Sequence, residues 1–384
     1  AVRAEPAKNN SRWGAGLPSG GDSQLLFMQS AVAKMDDKLG RAAIIENGSP
    51  LFTGGTSSGE SQIRRWLLEN DLIEAIIQMP TDLFYNTGIS TYIWLLSKNK
   101  RPERKGKIQL IDASGISHKL KKPLGNKKYE FLPEDRAAIT KLYADFQPTE
   151  LCKIYDNEEF MYREYTVMQP LQRSYSITVE SIDAMIAAGS LKSLYDEAAV
   201  LALEELGTAI TPKDKKKLDT FKGNKVKYDA VIAALRAFVS DEKYLSPKAF
   251  TPVLEAALSA TVTDSKLFAK IMDGLSVMDK EAEIQKDKKG HIIYDKETKD
   301  TEIVKYQESI ETYMAREVLP HIPDAQWFWE EDTKKKNPVI KTGAEIPFTR
   351  YFYKYQQPTP SEELEKKLLA LGQSVSERMA KLFQ

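Results

Sequence analysis

Apolar residues recur at alternating spacings of three and four between residues 22 and 39, where Leu25, Met28, Val32, Met35 and Leu39 form one stripe. With Asp22 or Ser23 at the cap position, the spacing predicts a helix with one buried face. After Gly40 comes a short apolar run of strand length, 41–46, closed by the turn residues Asn47, Gly48, Ser49 and Pro50. Ser57 with Glu60 three residues on reads as a capping box ahead of Ile63, Trp66 and Leu67, so a second amphipathic helix is expected to end near Asn70. Residues 72–79 and 91–97 are β-rich and apolar, and 107–112 alternate more weakly. Near-continuous apolar strands alternating with amphipathic helices are what a mostly parallel sheet covered on both faces requires. The first 150 residues therefore read as an α/β domain.

Beyond residue 150 the texture changes. Residues 151–175 form a connection whose part 159–172 looks β-like, and helical segments are expected near 179–187, 191–205, 226–241, 247–259 and 264–278. The stretch 282–306 is rich in Lys, Asp and Glu and reads as a solvated hairpin or charged loop within a mainly helical region, 176–358. Residues 306–318 read as helical, and 325–331 gather aromatics. Thr359, Pro360 and Glu362 then open a terminal helix, 359–384, in which Leu364, Leu368, Leu371, Val375, Met379 and Leu382 recur at three and four.

Composition narrows the classes only in part. Lys plus Arg and Asp plus Glu are both 55, so any attraction to a polyanion must be local. One cysteine, Cys152, excludes a disulfide within the chain, and three scattered histidines, His118, His291 and His321, show no metal-ligand spacing. No stretch approaches the ~20 apolar residues that span a bilayer, and the first residues lack the apolar core of a signal peptide, so no membrane partner and a reducing, cytoplasmic setting are expected. The chain starts without Met on a polar, Gly- and Pro-rich stretch, which suggests a fragment. No Gly-x-Gly-x-x-Gly or phosphate-loop spacing is present, and no Ser–His or Cys–His constellation can be assembled.

Two long stretches carry a resemblance. GRAAIIENGSPLFTGG at 40–55, IRRWLLENDLIEAIIQMPTDLFYNTGISTYIWLLSKNK at 63–100 and RPERKGKIQLIDAS at 101–114 resemble the modification (M) subunit of type I restriction-modification systems, an adenine-specific DNA methyltransferase. REVLPHIPDA at 316–325 and EIPFTRYFYKYQQP at 345–358 resemble the later part of the same subunits, so the likeness covers roughly 12–175 and 305–384. It implies the downstream half of a Rossmann-like methyltransferase sheet followed by a mainly α-helical C-terminal region.

The resemblance also implies S-adenosylmethionine as cofactor, DNA as substrate, and the specificity (S) and restriction (R) subunits as partners. The family's glycine motif for the cofactor and its Asn-Pro-Pro-Phe/Tyr motif for the target amine are not found in these 384 residues. The chain is thus expected to be inactive alone, with no complete catalytic set and no cofactor-binding residues of its own. A non-catalytic DNA- or partner-binding module derived from a methyltransferase is the alternative.

A flipped adenine needs an aromatic or apolar face to stack on. In related enzymes one such aromatic comes from the loop joining the last two sheet strands, which places Phe84 and Tyr85, in the loop 80–90, as stacking candidates. The same two residues read equally as core aromatics closing a strand-to-loop transition. Lys213, Lys215, Lys216 and Lys217 open the lysine-rich stretch 213–227, which is either a solvated helix face or a set of phosphate contacts. Arg350 and Lys354, interleaved with aromatics at 350–358, read first as packing. Leu364, Leu368, Leu371 and Val375 are candidates for contacting another subunit.

Overall fold

The computed structural model describes residues 12–329, 341–355 and 357–382. The described residues divide into two compact units. The first holds the chain up to 164, the segment 303–309 and the described residues from 341 on; the second holds 165–302 and 310–329.

The first unit is built on five strands: β1 (Arg41–Asn47), β2 (Ile73–Gln78), β3 (Thr91–Ser97), β4 (Lys107–Asp112), and a fifth at Cys152–Asp156. Their order across the sheet is β1, β3, β2, β4, then Cys152–Asp156. The α/β class is as expected, but the mostly parallel arrangement is not: only β2 and β4 pair in parallel, and the other pairings are antiparallel. The reason lies in the connection 79–90, which contains no helix. A parallel return needs a crossover of a dozen or more residues, usually helical, so β3 folds back antiparallel beside β2. Because β1 and β2 both run opposite to β3, and β4 runs with β2, the carboxyl ends of β1, β2 and β4 share one edge. Asn47 faces Thr91, and Gln78 faces both Tyr92 and Asp112, along that edge.

Helix α1 (Gln24–Lys34) is shorter than the apolar spacing predicts. Leu25, Met28 and Val32 are buried, Met35 ends the helix, and Leu39 lies exposed beyond it. A four-residue helix, α2 (Ser49–Phe52), follows β1. The next, α3 (Gly59–Glu69), is capped by Ser58, whose Oγ accepts the Ser61 N–H at 3.2 Å, and not by Ser57. Its start is set by a close approach: a Cβ on Gly59 would stand 1.7 Å from the Leu17 carbonyl oxygen. Glu60 accepts the Ser19 N–H at 2.6 Å instead of closing a capping box.

Helices α1 and α3 cover one face of the sheet, packing Leu25, Met28, Ile63 and Leu67 against Ile76, Trp94 and Leu110. The C-terminal stretch joins this core through Ala344, Ile346 and Phe348, the last edge-on to Tyr92 at 5.3 Å. On the other face lies α4 (Pro133–Asp145), above Ile77, Ile111 and Cys152. It is preceded by a hairpin of two strands, β5 (His118–Leu124) and β6 (Lys127–Glu130), so that Cys152–Asp156 becomes β7.

The next strand, β8 (Met161–Met168), confirms the β-like reading of 159–172, and its first residues pair with a three-residue strand at Thr342–Ala344. In the second unit the remainder of β8 pairs with Gln326–Trp329, so the aromatic cluster near 325 is a strand. This unit is mainly helical: α5 (Val179–Ala187), α6 (Glu197–Glu205), α7 (Pro212–Ala237), α8 (Pro247–Leu258) and α9 (Ser265–Gly274) surround Tyr175, Met185, Leu235, Phe250 and Leu254.

The boundaries expected at 191, 226 and 264–278 shift. Helix α6 begins at Glu197 behind the cap Asp196. The lysine-rich stretch and 226–241 merge into the one 26-residue α7. The end of 264–278 forms a strand, Ser276–Met278, paired with Arg173–Tyr175. The charged stretch 282–306 contains a tight hairpin in which Lys286 bridges Ile292 around Asp287–Gly290, as one of the two readings expects, and ends in a strand, Asp300–Lys305. Residues 310–318 are helical, and near the end a short helix at Phe348–Phe352 precedes the 22-residue terminal helix Ser361–Leu382.

Candidate functional site

The carboxyl edge of the sheet gathers polar groups that the strands cannot satisfy. Asp22 receives the Gln24 backbone N–H at 3.0 Å and the Ser49 hydroxyl; Gln24 Nε2 reaches Asn47 Oδ1 at 3.0 Å, and Gln24 Oε1 accepts the Asn47 N–H at 2.8 Å. Burial alone would raise the Asp22 carboxyl, yet the hydrogen bonds from Ser49 and Gln24 hold it below the usual range. Glu46, the residue before Asn47 in β1, is 6% exposed, with no hydrogen bond to its carboxylate among the described residues. Burial, with Asp22 nearby, pushes it up to about 7. Tyr92, opposite Glu46, is raised by burial and by Asp112, and the buried Thr91 hydroxyl has no partner among the described residues.

Above this edge runs the loop 80–90. Phe84 is half-buried at the start of a tight turn in which it bridges Thr87, and Tyr85 is 63% exposed. The Tyr85 ring is not bare: Lys127 Nζ sits 5.1 Å from its centroid. Asp82 adopts φ of +54°, which an Asp tolerates better than most residues. In that conformation its carbonyl accepts the N–H groups of Lys128 and Tyr129 at 2.8 and 3.2 Å. The Tyr85 carbonyl accepts the Asn126 N–H at 3.1 Å, and Gly125 passes so close that a Cβ there would lie 2.8 Å from that oxygen. The hairpin β5–β6 is therefore stitched to the loop carrying Phe84 and Tyr85, a link that the sequence did not announce.

Residues 3–177 match the sequence profile of the family described as N-6 DNA Methylase. This stretch is similar to methyltransferase sequence. A methylase subunit of the type I restriction enzyme MjaVIII from Methanocaldococcus jannaschii is 34% identical over 158 residues, 41% of this chain and 26% of that protein. A type I HindI methylase subunit from Haemophilus influenzae is 31% identical over 114 residues, 30% of this chain and 25% of that protein. The matched stretch thus spans about a quarter of these relatives. A solved methyltransferase subunit of a type I restriction-modification system from Streptococcus thermophilus aligns over 41% of this chain and 32% of its own, at 23% identity and a TM-score of 0.36. The resemblance to type I M subunits read from GRAAIIENGSPLFTGG and its continuation is borne out.

The other sequence candidates lie on other elements. Lys213, Lys215, Lys216 and Lys217 are exposed on the first turns of α7, in the second unit. Lys217 lies 5.6 Å from the Phe221 ring. Leu364, Leu368, Leu371 and Val375 are 49 to 71% exposed along the terminal helix. Arg350 and Lys354 are exposed, Lys354 pairing with Glu150 at the surface, while Tyr351 between them packs on Tyr155 at 4.5 Å. Sequence reading passed over Glu46, whose signal was an acidic residue closing an apolar strand. Among the described residues no helix is long and apolar enough to cross a membrane, and no three His, Cys, Asp or Glu side chains are grouped to hold a metal ion.

Proposed function

We propose that this chain supplies the base-holding and partner-facing parts of a type I M subunit, which transfers the methyl group of S-adenosylmethionine to the exocyclic amine of adenine in DNA. The observation that carries the reading is the placement of the Phe84–Tyr85 turn over the carboxyl edge of an α/β sheet whose sequence matches N-6 DNA methylases. Ligands of open α/β sheets bind outside the carboxyl ends of the strands, and a base flipped there meets an aromatic loop.

Two of the acidic groups at this edge are already engaged: Asp22 by Gln24 and Ser49, Asp112 by the Ser114 N–H at 2.9 Å. We assign cofactor binding and the grip on the amine to residues other than these. That division leaves the chain inactive on its own. The lysines at the start of α7 neutralise DNA phosphates, and the exposed stripe of the terminal helix seats the S subunit, through which the R subunit joins. Incubating the purified chain with methyl-labelled S-adenosylmethionine and adenine-containing duplex tests the division. No label is expected in DNA, and label on adenine N6 contradicts it.

A further inference from the structure

The segment 118–130, HKLKKPLGNKKYE, places five lysines and one carboxylate on a single hairpin. Lys119, Lys121 and Lys122 are exposed, and none has a carboxylate partner among the described residues. Lys127 and Lys128 are used to fasten the tip: one lies on the Tyr85 ring, the other pairs with Asp82 at 3.2 Å. At its base the hairpin is held by His118, whose Nδ1 is 2.8 Å from Asp135 Oδ2, while that same carboxylate accepts the Leu132 N–H at the start of α4. An arm tied at both ends keeps its three uncompensated charges at a fixed distance from the turn that carries Phe84.

Fixed cations are what a phosphate backbone selects, because each neutralised phosphate releases counterions. We propose that β5–β6 is a phosphate-binding arm, in which Lys119, Lys121 and Lys122 grip the DNA strand flanking the base that enters the loop 80–90. This rests on the function proposed above. The arm lacks the cluster of bulky exposed apolar side chains that a membrane surface would need; Leu124, 50% exposed, is its one large exposed apolar residue.

The test is fluorescence anisotropy of a labelled adenine-containing duplex, titrated with the full chain at several salt concentrations. Three proteins are compared: wild type, Lys119→Ala/Lys121→Ala/Lys122→Ala, and a control with the same charge change, Lys248→Ala/Lys266→Ala/Lys288→Ala. The arm variant is expected to bind about ten-fold or more weakly, with a slope of log K on log salt reduced by about 0.9 for each lysine lost. The control is expected to match wild type, and thermal melting confirms that the arm variant is folded.

An unchanged slope in the arm variant, or an equal loss in the control, overturns the arm while leaving the function standing. Wild type that fails to bind duplex at low salt, or that binds anionic vesicles instead, overturns both.

Discussion

Arg64 Nε donates to the carbonyl oxygen of Ala344 at 2.7 Å, joining residues 280 positions apart in the sequence. The same guanidinium donates to the carbonyls of Pro50 and Thr53 at 3.1 and 2.8 Å, and the side chain is fully buried. Burial pushes it down to about 10, partly opposed by the charges of Tyr162, Glu345 and Glu60, so it stays charged at neutral pH, with its hydrogen bonds going to carbonyl dipoles. One side chain thereby fixes α2, at the carboxyl end of β1, and the C-terminal stretch against α3. Removing it orphans the buried carbonyls of Ala344 and Pro50, each of which costs about 1–3 kcal/mol, and frees the partly buried one of Thr53. Arg64→Ala is expected to lower the unfolding free energy in urea by about 3 kcal/mol or more, and Arg64→Lys, lacking the planar fork, to recover little of it.

Glu46 gives the fold a pH dependence of unusual sign for a carboxylate. Its folded-state value of about 7 lies above the unfolded value of 4.5, so the folded chain holds the proton more tightly. The stability it contributes is fully present below about 4.5 and is lost as pH rises through 7, with a range of about 2–3 kcal/mol. Urea midpoints measured at pH 5 and pH 8 are expected to fall with pH in wild type. They are expected to fall much less in Glu46→Gln.

His118 titrates above its ordinary value of 6.5 because of its hydrogen bond to Asp135, partly opposed by desolvation and helped by the charges of Asp135, Glu134 and Glu130. The link it adds is complete below 6.5 and is lost as pH rises through the raised value. Proton NMR of the His118 ring should show a midpoint above 6.5 that falls toward the ordinary value in Asp135→Asn.

The outer edge of β1 has no strand partner among the described residues, and Ile45 on it is 51% exposed. An open, apolar edge invites pairing with another chain. The purified chain is expected to self-associate in sedimentation velocity, and Ile45→Lys to raise its monomer fraction several-fold.

The terminal helix leaves its stripe uncovered, and a buried leucine is worth about 1.5–3 kcal/mol at an interface. Leu364→Ser with Leu368→Ser and Leu371→Ser is expected to weaken association with the S subunit of the same system by at least 100-fold, measured by calorimetry. Affinity within a factor of two of wild type contradicts that assignment.

Much of the fold was legible because periodicity reports burial. The strands 72–79, 91–97 and 107–112, the helices at 179–187 and 247–259, and the terminal helix all lie where their apolar spacing places them. Strand direction was not legible, since apolar runs do not record polarity and the antiparallel return of β3 follows from the helix-free connection 79–90. Nor did local pattern reveal Arg64, which reads as a surface arginine of an amphipathic helix until Ala344 packs beside it. At the site, Phe84 and Tyr85 could be picked out by resemblance. The hairpin that holds their loop could not, because backbone hydrogen bonds between Asp82 or Tyr85 and residues 126–129, which local pattern does not record, bring Lys127 onto Tyr85 and Lys128 to Asp82.

The most direct test of the base-holding role uses a duplex with 2-aminopurine at an adenine position opposite an abasic site, so that the base is already unpaired. Stacking on Phe84 predicts that the wild-type chain quenches its fluorescence on saturation, and that Phe84→Ala binds the duplex yet loses at least half of the quenching. Equal quenching by the two proteins at saturation would contradict the account.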